Sequence, residues 1–324
     1  MKGTGTRKLV VVAFGGNALA RHDEDGTQRQ QLRHAAVLAR SLVRILKKGH
    51  DLVLVHGNGP QVGTLLVQVE EASTKVPPSS LDVCVAQTEG SIGFMLETAL
   101  RNEMVVEGID REVVCLLTPV VVDRKDPALR SPSKPIGPFY TPYRAALLRR
   151  TRRWNIVEDS GRGWRKVVAS PRPLKVINLP VLRALLESHH VVIAGGGGGV
   201  PVIEDASGRL RGIEAVVDKD LTASLIARDL HADLLLVLTD VDQVWLNYGK
   251  KNQRPIQKMS FKEAERYLRR GQFPPGSMGP KVQAAIEFTR STGHDVLITS
   301  LRRCVSAVMG RGGTRVTAKV EPRT

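Results

Sequence analysis

Three short apolar runs in this chain stop on glycine. Val10-Val11-Val12-Ala13-Phe14 runs into Gly15-Gly16-Asn17, Leu52-Val53-Leu54-Val55 into His56-Gly57-Asn58-Gly59-Pro60, and Val191-Val192-Ile193-Ala194 into Gly195 to Gly199. Short, near-continuous, valine-rich runs read as strands buried on both faces. A strand that ends in glycine lets backbone N–H groups approach an anion with no Cβ in the way. Any one of these ends could be only a tight strand-to-helix turn. Three together point to an enzyme that handles phosphate.

Between these runs the periodicity changes. Apolar residues at 32, 35, 36, 39, 42, 43 and 46 predict a helix from Gln28 to Lys48, stopped by Gly49. Leu81, Val85, Thr88, Ile92, Met95, Leu96 and Ala99 mark a long helix. Further helices are expected over 179–187, 221–231 and 280–292, and further strands over 113–122, 234–238 and 295–299. Ser260-Phe261-Lys262-Glu263 has capping-box spacing and opens another helix. Strands alternating with helices predict a mostly parallel sheet covered on both faces. Residues 124–175 break the rhythm, being rich in Pro, Arg, Trp and Tyr with little periodicity. So long a structureless loop does not suit a compact domain, so this stretch reads as an inserted subdomain folding over the sheet's edge.

Composition narrows the function. The chain has 324 residues, enough for a large core in one or two domains. No apolar run reaches the ~18 residues that span a bilayer. The start, Met1 to Arg7, leads directly into a strand and shows no signal peptide. Cys84, Cys115 and Cys304 are far apart and form no CxxC pair, which favours buried thiols in a reducing cytoplasm over disulfides or zinc. The histidines show no metal-ligand spacing, so no resident metal site is expected. The net charge of +16 fits a nucleic-acid binder, an enzyme for anionic substrates, or a surface merely biased toward arginine. Dispersed basic residues, with one cluster at Arg149–Arg153, and only 4% aromatics argue against a nucleic-acid partner.

The common nucleotide motifs are absent. There is no GxxxxGK[ST], and Gly57, Gly59 and Gly63 are spaced one residue too long for the dinucleotide fingerprint. Lysines stand out instead. Asp218-Lys219-Asp220 immediately precedes a helix, and Pro280-Lys281 opens another. A lysine at a helix N-terminus opposes the macrodipole, and a phosphate between it and the N–H groups would reconcile the two. A solvated lysine is the competing reading for Lys281. For the triplet, one aspartate can cap the helix while the other holds the lysines. Lys134, in Ser133-Lys134-Pro135-Ile136-Gly137-Pro138-Phe139-Tyr140, is stiffened by prolines and so presented, though a rigid surface loop would look the same.

At this point the chain resembles the carbamate kinases, within the amino acid kinase family. The resemblance runs from about residue 8 to about 316. It is carried by Gly15–Leu19, His56–Gly63, Leu81–Ala86, Gly90–Gly93, Lys134–Tyr140, Gly195–Gly198, Glu214–Asp220, Asn247–Gly249 and Pro275–Lys281. It implies an open αβα sandwich with a mostly parallel sheet and a protruding subdomain. Residues 8–123 and 176–200 would form mainly the acceptor-binding lobe, 124–175 the subdomain, and 201–324 mainly the nucleotide-binding lobe. The implied reaction is reversible phosphoryl transfer between ATP and carbamate, giving ADP and carbamoyl phosphate, with Mg²⁺, in a cytoplasmic homodimer.

The resemblance also implies roles. Gly15, Gly16, Asn17, Gly57, Asn58 and Gly59 would line the acceptor site, with Gly196 and Gly197 nearby. Lys219 and Lys281 would bridge the transferring group and the nucleotide phosphates, with Asp220 organising them, and Lys134 would reach in on the acceptor side. Thr239, Asp240, Tyr248 and Met278 would fall at the nucleotide pocket. Three features depart from the family pattern: the basic balance, Glu89 where glutamine is usual, and the basic segment Arg311–Thr324. The alternatives are another amino acid kinase-family phosphotransferase, or a basic nucleic-acid-binding protein on the same scaffold.

Overall fold

The computed structural model describes residues 7–21, 23–159, 161 and 163–319. The ends of the chain, including the start Met1–Thr6 and the last residues of the basic C-terminal segment, lie outside the described residues. At the centre is an eight-stranded sheet in the order Lys258–Ser260, Thr314–Thr317, Asp295–Ser300, Leu234–Thr239, Leu9–Phe14, Asp51–His56, Val191–Ala194, Val113–Leu116. Neighbours are parallel except Thr314–Thr317 against Asp295–Ser300.

Alternation along the central strands feeds two cores. Val10, Val12, Phe14, Leu52 and Leu54 pack with Leu38 and Leu42 of the helix Gln28–Leu46 and Ile92, Leu96 and Leu100 of the helix Leu81–Val106. Val11, Ala13, Val53 and Val55 face the other way, onto Ala223 and Ile226 of Lys219–Asp229 and Val282 and Phe288 of Met278–Thr292. Successive strand residues point to opposite faces, so these near-continuous apolar strands require helices on both. The result is the expected αβα sandwich.

Two predicted elements differ in the structure. The apolar stretch 113–122 is two strands in two sheets, Val113–Leu116 and Pro119–Val122. Thr118 breaks it: its N–H goes to Glu89, its hydroxyl to the Leu116 carbonyl, and its carbonyl to Val200 N–H. The last predicted helix begins at Met278, so Pro280 is its third residue and Lys281 its fourth. Proline costs nothing there, because the first N–H groups of a helix have no intrahelical partner. The capping box at Ser260 forms as expected, Ser260 Oγ accepting from Glu263 N–H at 3.2 Å and Glu263 Oε2 from Ser260 N–H at 2.9 Å.

The sequence reading also lacked the helix Gly59–Ala72. A second sheet, ordered Leu210–Gly212, Val200–Glu204, Pro119–Val122, Pro173–Val176, flanks the main one. Within the stretch 124–175 lies an antiparallel sheet of Lys134–Tyr140, Trp164–Val168 and Ile156–Glu158, carrying the helix Pro142–Arg152. It has its own small core of Ala145, Leu148 and Ile156 under Tyr140, Trp154 and Trp164.

Candidate active site

Because the central strands are parallel, the residues that follow Phe14, His56, Ala194 and Thr239 emerge along one edge of the sheet. Open α/β sheets bind ligands outside that edge. Gly15, Gly16, Gly57 and the Gly195–Gly199 loop gather there. A Cβ on Gly57 would lie 2.9 Å from Gly16 N and 3.0 Å from Cδ of Lys219, and one on Gly15 would lie 3.9 Å from Lys219 Cε. The Lys219 stem therefore runs over two strand ends that only glycine leaves open. Gly195, Gly197, Gly198 and Gly199 all have φ between 65° and 95°. That left-handed backbone favours glycine at these four, while at Gly196 a Cβ would lie 2.3 Å from His56 Nε2.

Lys219 is the first residue of its helix, and Asp218 is the cap, its Oδ1 accepting from Asp220 N–H at 2.9 Å. Lys219 Nζ donates to Asp220 Oδ2 at 2.8 Å, and Lys281 Nζ donates to the same oxygen at 2.9 Å. Lys134 Nζ donates to Asp218 Oδ2 at 3.0 Å and to the Val217 carbonyl at 3.2 Å. Three lysines from separate parts of the chain thus converge on two aspartates, leaving one excess positive charge. Asp220 is 2% exposed, and its Oδ1 has no hydrogen-bond partner.

The electrostatics follow from burial and proximity. Burial alone would raise Asp218, but Lys134 and Lys219 hold it well below the usual carboxylate range. Asp220 is likewise lowered by Lys219 and Lys281 against the effect of burial. Burial, with Lys281 nearby, lowers Lys219 to about 8 despite Asp220. Burial would lower Lys281, but Asp220, with Asp218 beside it, raises it.

Asn58 is buried, and its amide donates to Thr88 Oγ1 at 2.9 Å. Gly59 opens the helix Gly59–Ala72, and the side chain of Asn17 is exposed on the turn Gly16–Ala18. Gly197 packs against the Asn58 amide, and Gly196 against His56 and Glu89. The four residues expected at the nucleotide pocket are more spread out. Thr239 ends its strand, Asp240 is exposed just beyond it, Tyr248 is exposed in the turn after Val244–Leu246, and Met278 opens its helix. None of the four touches the lysine cluster through a hydrogen bond or ion pair among the described residues.

Sequence reasoning gave no role to His56, Thr118 or Glu89, which line the core side of the Gly195–Gly199 loop. The available signal was a glutamate on the buried face of a helix, where Glu89 is 1% exposed.

A largely buried lysine cluster, glycine-ended parallel strands and helix N-termini at one sheet edge have the chemistry that phosphoryl transfer on an open α/β sandwich asks for. The model of the amino acid kinase family matches residues 8–300, and the chain belongs to that family. Within it, the similarity is to carbamate kinases. The carbamate kinase of Pyrococcus horikoshii is 43% identical over 310 residues, covering 95% of this chain and 98% of that protein. The carbamate kinase of Giardia lamblia bound to citric acid superposes with a TM-score of 0.91 at 39% identity, over 96% of this chain and 99% of that one. The same Giardia enzyme bound to AMP-PNP gives 0.88 at 40% identity, over 96% and 99%.

Proposed function

We propose that this chain is a carbamate kinase, transferring a phosphoryl group reversibly between ATP and carbamate, with carbamoyl phosphate and ADP on the other side. The observation that carries the reading is the convergence of Lys134, Lys219 and Lys281 on Asp218 and Asp220, beside the glycine-lined strand ends. Phosphoryl transfer asks a protein for positioned positive charge and backbone donors rather than for a covalent nucleophile.

In this reading Gly15, Gly16, Asn17, Gly57, Asn58 and Gly59 line the acceptor site, with Gly196 and Gly197 at its wall. Lys219 and Lys281 take the oxygens of the transferring group and of the nucleotide phosphates. Asp220 holds both ammonium groups in register until the phosphates arrive. Lys134 comes from the subdomain to the acceptor side. Thr239, Asp240, Tyr248 and Met278 border the nucleotide in this reading. Mg²⁺ enters as part of the Mg·nucleotide substrate, neutralising charge on the phosphates. The lysine-rich donor set suits phosphate oxygens, and among the described residues no group of three or more His, Cys, Asp or Glu could hold a metal.

The test is production of ATP from carbamoyl phosphate and ADP by the purified chain. Failure there, with turnover of N-acetylglutamate or UMP instead, would move it elsewhere in the family.

The enzyme is proposed to act in the cytoplasm as a homodimer. The free thiols of Cys84, Cys115 and Cys304 support the compartment. Val83, Phe94 and Val105 support the dimer: they are exposed, and about three helical turns separate each from the next, so they form one apolar stripe. No described helix is long and apolar enough to cross a membrane.

A further inference from the structure

Glu89 is a buried carboxyl outside the lysine cluster. It lies on the helix Leu81–Val106, pointing under the Gly195–Gly199 loop. Its Oε1 accepts from Gly196 N–H at 2.8 Å, and its Oε2 from Thr118 N–H at 3.3 Å. Thr118 Oγ1 in turn accepts from Gly195 N–H at 2.8 Å. Gly198 and Gly199 N–H are used inside the loop, on the carbonyls of Gly195 and Gly196. The loop is therefore held by the Glu89 carboxyl and the Thr118 hydroxyl at its N–H groups, and by the Thr222 hydroxyl, which donates to the Gly198 carbonyl at 2.7 Å. A Cβ on Gly196 would collide with His56 and Glu89 together, so the loop sits directly on both side chains.

We propose that Glu89 is a positioning residue of the acceptor site: it braces the glycine loop from the core side, and its protonation state sets how well that loop receives an anionic acceptor. The proposal rests on the reading that Gly196 and Gly197 wall the acceptor site.

The surroundings of Glu89 are nearly free of charge. Its titratable neighbours are His56, which burial holds down to about 4, and Cys115, which burial pushes up to about 12, so both are neutral at pH 7. The charged side chains that neighbouring elements bring near this helix are paired away from Glu89. Arg40 faces Glu103, Glu112 meets Arg101, Glu70 faces Lys166, and Glu214 receives Leu81 N–H. Burial accordingly raises Glu89 to about 8, against the N–H groups of Gly196 and Thr118. Near neutrality burial therefore favours the neutral acid, against the two N–H bonds that favour its carboxylate. As pH rises through about 8, a negative charge appears under a loop that must receive an anion.

The test compares wild type, Glu89→Gln and Glu89→Ala, using carbamoyl phosphate and ADP as substrates between pH 6.5 and 9.5. In the wild type, KM for carbamoyl phosphate should rise by about fivefold across pH 8, the scale of a like-charge contact through partly screened protein. Glu89→Gln keeps an acceptor for Gly196 and cannot ionise, so it should keep the low KM at pH 7 and show a smaller rise across pH 8 than wild type, the remaining rise being that of Lys219 losing its charge. Glu89→Ala frees both N–H groups and should raise that KM by about tenfold at pH 7, with less effect on KM for ADP.

A second readout does not need activity. An acid whose folded pKa lies above its unfolded one loses stability as pH climbs between the two. The melting temperature of Glu89→Gln should therefore gain on wild type from about pH 4.5 to about pH 8 and then run parallel. If Glu89→Gln and wild type share one KM profile, or the melting difference does not change with pH, the role of Glu89 is overturned. A wild-type chain with no turnover of carbamoyl phosphate and ADP would overturn the carbamate kinase reading instead.

Discussion

Lys219 and Lys281 donate to one and the same oxygen, Oδ2 of Asp220, at 2.8 and 2.9 Å. Two ammonium groups are thus held side by side in a nearly dry site by a single carboxylate. Each is largely desolvated already, with side chains 11% and 13% exposed. In the proposed reading, a phosphoryl group arriving between them would meet positive charge already in place.

Replacing Lys219 or Lys281 with Met should lower kcat by on the order of 10²–10³, the range for losing one preorganised electrostatic donor. Lys134→Met should instead raise KM for carbamoyl phosphate, with less change for ADP. Steady-state kinetics with both substrates varied separate the two. A Lys134→Met enzyme weakened toward ADP alone would put the subdomain on the wrong side of the reaction.

Asp220→Asn leaves two largely buried ammonium groups facing each other without their shared carboxylate, with Asp218 still attracting both. It should lower unfolding free energy by about 3–5 kcal/mol. Adding Lys219→Met to it should recover part of that loss, because one of the repelling charges is gone. Denaturant melts of the two single mutants and the double mutant form the cycle, and strict additivity would argue against the shared-oxygen geometry.

Lys219 sets a second pH limit. Burial lowers it from 10.5 to about 8, so the free enzyme loses this ammonium as pH rises through about 8. kcat/KM for ADP should fall there, in Glu89→Gln as in wild type. Stability runs the other way for this group: the cost of burying its charge is present below about 8 and is relieved as pH climbs toward 10.5. Activity should drop while circular dichroism still reports folded protein. A kcat/KM profile for ADP that stays flat to pH 9.5 would remove Lys219 from the nucleotide side.

Gly63 tests how the subdomain is seated. A Cβ there would fall inside the backbone of Gly137, on the strand that also carries Lys134. Gly63→Ala should cost about 1–3 kcal/mol and raise KM for carbamoyl phosphate by tilting that strand away. Gly90→Ala, with nothing within 4 Å of its added methyl, is the control. Equal behaviour of the two variants would mean that the close approach of the two backbones does not hold in solution.

The dimer has a direct test as well. Phe94, 63% exposed at the middle of its stripe, becomes a charge in Phe94→Asp. Sedimentation should then show a monomer where wild type is a dimer, and an unchanged sedimentation coefficient would place the interface elsewhere.

Much of the central sheet was readable from the chain, because strands buried on both faces are simply apolar. Leu9–Phe14, Asp51–His56 and Val191–Ala194 all declared themselves this way. An apolar run does not say which sheet it belongs to, which is why Val113–Val122 read as one strand. The partition is made by Thr118, through bonds to residues distant in sequence. The helix Gly59–Ala72 was hidden because Gly57-Asn58-Gly59-Pro60 reads as a turn, and Gly63 weakens the helical pattern for a reason visible only across the interface with Gly137. Lys134, Lys219 and Lys281 each stood out locally through prolines or helix starts. Their pairing with Asp218 and Asp220 is tertiary and leaves no spacing to read.

The second sheet gives the arm that carries Lys134 a mechanical footing. The chain goes out along Pro119–Val122 and comes back along Pro173–Val176, and these strands are bonded to each other. On the other flank of the outgoing strand lies Val200–Glu204, the segment that leaves the glycine loop. Both ends of the arm are thus bolted to one small plate, and the loop is bolted to it too. A swing of the arm that strains this plate loads the loop through a single row of backbone hydrogen bonds, so the two are geared together.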